Sequence, residues 1–112
     1  MAYVFHLPED FSFEKAGHRG KIFASKDLTD KVEFEVIETE LGHENTIMQK
    51  ECIFAYYILE GGGNFVVDSI VENCNTGDLV VIPAGKPFTY SGRMKMFLVC
   101  APWWRPEQEI VL

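Results

Sequence analysis

The chain lacks the features by which many proteins reveal a charged or lipid partner. It has no run of four or more basic residues, and its formal net charge at pH 7 is −7. Because a phosphate backbone is bound mainly by clustered Lys and Arg, this charge argues against nucleic acid as a partner. No stretch approaches the roughly 20 apolar residues of a membrane-spanning helix, and the first residues lack the basic start and long apolar run of a signal peptide. We expect neither nucleic acid nor membrane among its partners.

Cysteine is scarce as well, with only Cys52, Cys74 and Cys100 in the chain. Their separations of 22 and 26 residues fit no zinc pattern of paired ligands. An odd number of cysteines with no secretion signal predicts reduced thiols and a cytoplasmic location. Cys74 stands between two asparagines in a predicted turn, so we expect its thiol to be exposed.

The length and composition predict a single globular domain. The chain has 112 residues, of which 47% are apolar and 24% charged, values typical of soluble globular proteins with one core. The predicted domain covers residues 1–112. It comprises N-terminal strands over residues 1–41, a motif region over residues 42–92 and C-terminal strands over residues 94–112.

Short strand patterns dominate, and no segment before the C-terminus shows sustained helical periodicity. Residues 31–41 alternate between apolar and charged side chains, which predicts a half-buried strand. Residues 52–59 form a continuous apolar run, as expected of a strand covered on both faces. The glycines at 61–63 predict a break, with residues 64–68 as the return strand of a hairpin.

The remaining segments predict further short strands separated by Gly and Pro turns. These strands cover residues 70–73, 79–82, 88–90, 94–101 and 109–112. Residues 88–90 and 94–101 are predicted to form a hairpin. Such a series favours an all-β sandwich or barrel, and a jelly roll is one such topology. Periodicity alone does not select it over another all-β arrangement.

Two sets of intervals along the chain narrow this choice. The first set runs Gly42, five residues, Met48, one residue, Lys50, three residues, Phe54, six residues, Gly61; the second runs Gly77, five residues, Pro83, one residue, Gly85, two residues, Phe88. Residues 56–61 and 77–85 resemble the "YxVLEG" and "GDxVxIPAG" segments of the cupin family. The resemblance covers about residues 31–101. It implies a double-stranded β-helix, the RmlC-like jelly-roll barrel, and a chain that pairs as a homodimer.

The chain departs from this family at the four positions that usually bind a metal. In most cupins they are His, His, Glu and His, whereas here they are Met48, Lys50, Phe54 and Phe88. Phenylalanine has no lone pair to donate, methionine is a soft thioether, and lysine would first have to lose its proton. We therefore predict no metal and no cofactor. The histidines lie on separate segments, and only His43 is expected near the mouth of the barrel.

Strand alternation then predicts which side chains face the barrel interior. If the former metal positions point inward, the ligand-binding candidates are Met48, Lys50, Cys52, Phe54, Tyr56, Phe88 and Tyr90. This set describes an aromatic pocket with a few polar groups, as small-molecule sites usually are. The alternative is that the rings simply fill the interior, because a barrel this small can be packed solid by its side chains.

Lys50 is the candidate that a purely packed interior explains least well, since an unpaired ammonium inside a barrel is costly. It has three possible roles: its side chain extends to solvent, it pairs with Glu38 or Glu40, or it serves in binding or catalysis. Cys52 is interpreted as a core residue. As a nucleophile it would need a nearby base, for which only His43 is in range.

Three functions are compatible with this sequence. The first is a metal-free cupin-like domain that binds a small molecule, such as a carbohydrate-like ligand, in the aromatic pocket. The second is a metal-independent isomerase, epimerase or lyase that uses Lys50, a tyrosine or a carboxylate for proton transfer. The third is a structural or interaction barrel whose pocket is filled. The fold does not decide among them.

Overall fold

The structure is a computed structural model that describes residues 2–112. Its elements are the strands β1 (Phe13–Lys15), β2 (His18–Ile22), β3 (Glu33–Thr39), β4 (Ile47–Gln49), β5 (Ile53–Val67), β6 (Ile70–Asn75), β7 (Leu79–Ile82), β8 (Phe88–Ser91), β9 (Met94–Ala101) and β10 (Glu109–Val111), with a 3₁₀ turn at Pro106–Gln108. Among these described elements, no helix is both long and apolar enough to span a bilayer.

The strands form two antiparallel sheets that share β5. The first sheet has the order β1-β2-β3-β9-β5-β7, and the second has the order β6-β5-β8-β4-β10. The N-terminal half of β5 pairs with β9 and β7, and its C-terminal half pairs with β6 and β8. The two sheets curl around a common core, which confirms the all-β jelly-roll prediction.

The predicted break at residues 61–63 is wrong, because β5 continues through these glycines. A Cβ on Gly61 would lie 2.1 Å from the carbonyl oxygen of Arg93, and one on Gly63 would lie 1.9 Å from that of Ser91. Glycine therefore lets neighbouring backbones approach while β5 bends from one sheet into the other. The hairpin lies further on, at Asp68 and Ser69, whose φ values of 50° and 68° are those of a type I′ turn.

The predicted hairpin between residues 88–90 and 94–101 is also wrong. Strand β8 lies in the second sheet, where it pairs with β5 and β4, whereas β9 lies in the first sheet between β3 and β5. The turn at residues 92 and 93 therefore carries the chain across the barrel. The expectation that the thiol of Cys74 is exposed is wrong as well. Cys74 is buried on β6, with its Sγ 3.6 Å from the carbonyl oxygen of Gly63.

Candidate functional site

A cavity of about 210 Å³ lies between the two sheets and is lined by residues of both. It is smaller than the roughly 300–1,000 Å³ of pockets for drug-sized ligands. Its apolar wall includes Ile37, Ile47, Phe54 and Leu98. Its main polar groups are Lys15, His18, Glu35, His43, Tyr56 and Glu109. The interior thus combines an apolar wall with groups that can donate, accept or transfer protons.

The inner face of the first sheet places a carboxyl group and a phenol in one row, with Leu98 between them. Glu35 on β3 pairs in register with Leu98 on β9, which pairs with Tyr56 on β5. Glu35 and Tyr56 are 5% and 3% exposed, and both line the cavity. Burial is the main cause that raises the pKa of both groups, to about 9 for Glu35. Both are therefore neutral hydrogen-bond donors at neutral pH.

The expectation that Glu38 or Glu40 faces inward is wrong. Glu38 pairs with Arg19 at 3.7 Å and Glu40 with Arg93 at 3.4 Å, and all four side chains are substantially exposed. The sequence predicts the alternation of β3, but the face turned to the interior is the one that carries the carboxyl groups of Glu33 and Glu35. The apolar residues on the other face of β3 pack outside the barrel. A rule that places apolar residues inside therefore selects the wrong face.

Two histidines from distant segments meet at the cavity. The rings of His18 on β2 and His43 in the β3–β4 loop stack at 4.7 Å between centroids. His43 also meets Tyr90 edge to face at 5.6 Å. Burial is the largest cause that lowers the pKa of both histidines, to about 4 for His18. Sequence reasoning identified His43 as close to the mouth and missed His18.

The protonation state of His43 follows from one backbone contact. Its Nδ1 accepts a hydrogen bond from the N–H of Asn45 at 3.1 Å. A neutral imidazole whose Nδ1 is an acceptor carries its proton on Nε2. Because the lowered pKa keeps the ring neutral, His43 is a hydrogen-bond donor through Nε2.

Charged and amide side chains complete the site. The Nζ of Lys15 lies 4.5 Å from the ring centroid of Trp104, and both residues line the cavity. Glu109 on β10 accepts a hydrogen bond from Nε2 of Gln49 at 2.7 Å. Gln49 in turn accepts one from Gln108. This amide chain fixes one oxygen of Glu109 and leaves a carboxylate at the cavity.

The aromatic candidates predicted from the sequence face the interior as expected. Phe54, Tyr56, Phe88 and Tyr90 are each at most 5% exposed. Phe54 and Tyr56 line the cavity, while Phe88 and Tyr90 pack against them through ring contacts of 5.9 Å and 5.7 Å. Cys52 is buried as a core residue, with its Sγ 3.4 Å from the carbonyl oxygen of Pro102, and burial raises its pKa.

The predicted inward orientation of Met48 and Lys50 is wrong. Ile47 and Gln49 are the buried residues of β4, whereas Met48 is half-buried and Lys50 is exposed. The chain leaves the ladder after Gln49, and this break shifts the alternation by one residue before Cys52. The polar group that β4 contributes to the interior is therefore an amide and not an ammonium.

Solved structures with the same architecture include a nucleoside dehydratase. The Streptomyces protein PAC13, solved with uridine, is 21% identical, with a TM-score of 0.91 over 100% of this chain and 92% of its own. A structure of Pac13 described as a nucleoside dehydratase is 22% identical, with a TM-score of 0.90 over 100% and 92% of the two chains. The uridine complexes carry single substitutions, of a histidine by glutamine or of one of two tyrosines by phenylalanine.

Other solved structures extend the likeness to the wider fold. An RmlC-like cupin from Shewanella frigidimarina is 14% identical, with a TM-score of 0.76 over 95% of this chain and 96% of that chain. No family model and no curated protein matches the sequence. The structural likeness, together with the two sheets and their shared strand, shows that this chain is a small protein with the cupin-like jelly-roll fold.

Proposed function

We propose that this protein binds a nucleoside-like molecule in its cavity and removes water from it by acid–base chemistry of its own side chains. This proposal combines two of the functions considered from the sequence, small-molecule binding and a metal-independent lyase. It is favoured over a filled structural barrel because a cavity lined by titratable groups lies between the sheets.

The main support for this proposal is the spacing of one histidine and two tyrosines along the chain. In the uridine-bound Streptomyces protein, the substituted histidine and the first substituted tyrosine are 13 positions apart, and the two tyrosines are 34 positions apart. His43, Tyr56 and Tyr90 have the same two separations. Here the ring of Tyr90 lies 5.6 Å from that of His43 and 5.7 Å from that of Tyr56. The three residue types thus recur in the same order, with His43 and Tyr56 lining the cavity and Tyr90 packed against both.

The side chains suit an elimination. Dehydration breaks a C–H bond on one carbon and a C–O bond on the next, forms a C=C bond and releases the hydroxyl as water. The carboxylate of Glu109 takes the proton from the C–H bond in this proposal and passes it through water to the departing hydroxyl, which leaves as water and restores Glu109. The neutral ring of His43 assists by donating a hydrogen bond from Nε2–H to that hydroxyl. The ammonium of Lys15 attracts the electron-rich oxygen of the ligand.

Uridine titration tests the binding step. Quenching of tryptophan fluorescence is a suitable signal, because Trp104 lines the cavity. We expect His43→Gln and Tyr56→Phe to weaken uridine binding at least fivefold, while Tyr3→Phe, on a side chain 75% exposed, leaves it unchanged. If uridine does not bind the wild-type protein, or binds all these variants equally, the proposed site is wrong.

Loss of water tests the chemical step. Nucleosides, including forms oxidised to a carbonyl compound, are incubated with the protein and analysed by mass spectrometry. A carbonyl acidifies the neighbouring C–H bond, so these forms are the preferred substrates. A product that has lost one water in the presence of wild-type protein, and not of Glu109→Gln, supports the lyase. Binding without any dehydration would leave a ligand-binding domain as the function.

The protein is also proposed to work as a homodimer in the cytoplasm. Tyr57, Leu79 and Val81 lie on the outer face of the first sheet and are 43%, 61% and 54% exposed. Leu79 pairs with Tyr57 across the β5–β7 ladder, so the patch is continuous. A second copy of the same sheet would cover it, as in isologous dimers. Three cysteines without a disulfide suit a reducing compartment.

A further inference from the structure

Strand β3 points two carboxyl groups into the core. Glu33 and Glu35 are two residues apart on the same face, and they are 2% and 5% exposed. Within residues 2–112, neither carboxyl group forms an ion pair within 4.0 Å. The other buried side chains of β3 are uncharged. Two ionised carboxylates side by side without a cation would be strongly unfavourable in such a setting. The pair therefore retains a proton.

The surrounding hydrogen bonds assign that proton to Glu35. An Oε1 of Glu33 accepts the backbone N–H of Trp104 at 3.0 Å, a contact that stabilises the charged form. Burial, followed by the neighbouring charge of Glu33, raises the pKa of Glu35 to about 9. Burial raises the pKa of Glu33 as well, but the hydrogen bond from Trp104 lowers it, so Glu33 is the more acidic member of the pair and Glu35 holds the proton at neutral pH.

The neutral acid faces the cavity and not the protein core alone. Glu35 lines the same cavity as His43 and Glu109, in one row with Tyr56 across the first sheet. A carboxylic acid kept neutral in an apolar site can donate a hydrogen bond to an oxygen that gains negative charge, and a tyrosine is a known companion in such a role. The row of Glu35 and Tyr56 presents two such donors.

We propose that Glu35 contacts the ligand as a protonated carboxylic acid, which donates a hydrogen bond to a carbonyl or hydroxyl oxygen, and that Glu33 is the positioning residue that keeps this proton in place. The proposal rests on the proposed function for the identity of the ligand. It adds Glu35 as a group that contacts the ligand, and Glu33 as a carboxylate that acts through Glu35.

Several other titratable groups surround the pair and must be considered in any pH experiment. They are Lys15, Lys26, His18, His43, Cys52, Tyr56, Tyr90, Cys100 and Glu109. Burial lowers the pKa of the two histidines and raises that of the tyrosines and cysteines, and all of these groups are retained in the Glu35→Gln control. Lys15 is the cation at the cavity, and Lys15→Met controls for it.

Infrared spectroscopy of the ligand-free protein tests the proton directly. We expect a carboxylic acid C=O band at pH 7 that disappears by pH 10.5, is absent from Glu35→Gln and persists in Lys15→Met. In Glu33→Gln the band should remain but disappear at a lower pH, since one of the causes that raise the pKa of Glu35 is removed. No band in the wild-type protein at pH 7, or an undiminished band in Glu35→Gln, overturns the proposal.

Uridine binding tests the contact. If only the protonated form binds, the Kd of the wild-type protein should rise about fourfold from pH 7 to pH 9.5 for a pKa of about 9. Glu35→Gln keeps a neutral N–H donor, so its Kd should stay within a few-fold of wild type at pH 7 and lack this additional rise. Any ionisation of the uracil ring affects both proteins equally, and the difference isolates Glu35.

The two experiments separate the two proposals. Identical pH profiles for wild type and Glu35→Gln, with a band that titrates as expected, overturn the contact while the uridine site stands. Failure of uridine to bind at any pH refutes the proposed function and the contact with this ligand, whereas the infrared band still decides whether Glu35 holds the proton.

Discussion

The hydroxyl of Tyr90 provides a sensitive test of the site, because it is buried without a partner. Tyr90 is 2% exposed, and its hydroxyl has no hydrogen-bond partner among the described residues. Its ring packs 5.1 Å from that of Phe65 and 5.7 Å from that of Tyr56. Tyr90→Phe removes the hydroxyl and keeps these ring contacts.

The magnitude follows from the cost of an unsatisfied polar group. Leaving a buried donor or acceptor unpaired costs about 1–3 kcal/mol, and replacing it with an apolar group of the same shape recovers that cost. We therefore expect Tyr90→Phe to increase the free energy of unfolding by about 1–2 kcal/mol. For a domain of this size, each kcal/mol corresponds to a rise in Tm of about 4–8 °C.

Urea denaturation followed by tryptophan fluorescence measures this change, provided that the slope of the transition is the same in both proteins. Tyr3→Phe is the control, since its hydroxyl lies on an exposed side chain and its loss should change stability by no more than about 0.5 kcal/mol. If Tyr90→Phe is less stable than wild type by about 1 kcal/mol or more, the hydroxyl has a structural partner, and the reasoning from an unpaired buried group is refuted.

Further expected outcomes concern protons, metals and assembly. The pKa of Glu35 is higher in the folded than in the unfolded protein, so its contribution to stability is complete below about pH 4.5 and is lost as pH rises towards 9. The free energy of unfolding should therefore fall by about 1.4 kcal/mol per pH unit between pH 7 and 8.5. Urea denaturation at several pH values measures this slope, which Glu35→Gln should remove. The contribution of His18 to stability changes with pH in the opposite direction, since burial lowers its pKa from 6.5 to about 4. This contribution is complete above pH 6.5 and is lost as pH falls towards 4. His18→Asn should therefore reduce the loss of stability at acid pH in the same assay. Dialysis against a chelator should leave Tm and uridine affinity unchanged, because the usual metal positions carry no suitable donors; a loss that added metal restores would contradict this. Leu79→Arg should convert a dimer into a monomer in size-exclusion chromatography with light scattering, whereas Lys95→Arg should not.

The sequence predicts most of the fold because turn chemistry is local. Gly77 marks the turn before β7, and Pro83 and Gly85 mark the turn after it, with conformations that few other residues adopt cheaply; their intervals indicate the jelly roll. The inward orientation of Phe54 and Tyr56 is predictable for the same reason, since both lie within one uninterrupted stretch of β5. Alternation is reliable wherever the strand has no break.

The site itself depends on contacts that no local pattern specifies. The prediction for Lys50 fails because the three residues between β4 and β5 lie outside the ladder and shift the alternation by one residue. The His18–His43 stack depends on β2 pairing with β3, which brings residues 25 positions apart together. The burial of Glu33 is made tolerable by a hydrogen bond from the backbone N–H of Trp104, which is 71 residues away in the sequence. Each of these is a long-range consequence of topology.

The membership of β5 in both sheets has a consequence for how this chain can be rebuilt. Since its 15 residues pair with four other strands, neither half of the barrel has a complete set of neighbours when that strand is cut. New chain ends or inserted loops should therefore be placed at the two-residue connection that follows β5, where the backbone already reverses at the surface. Circular permutants opened there should remain cooperative folders, whereas those opened in the middle of β5 should yield fragments that need each other to fold.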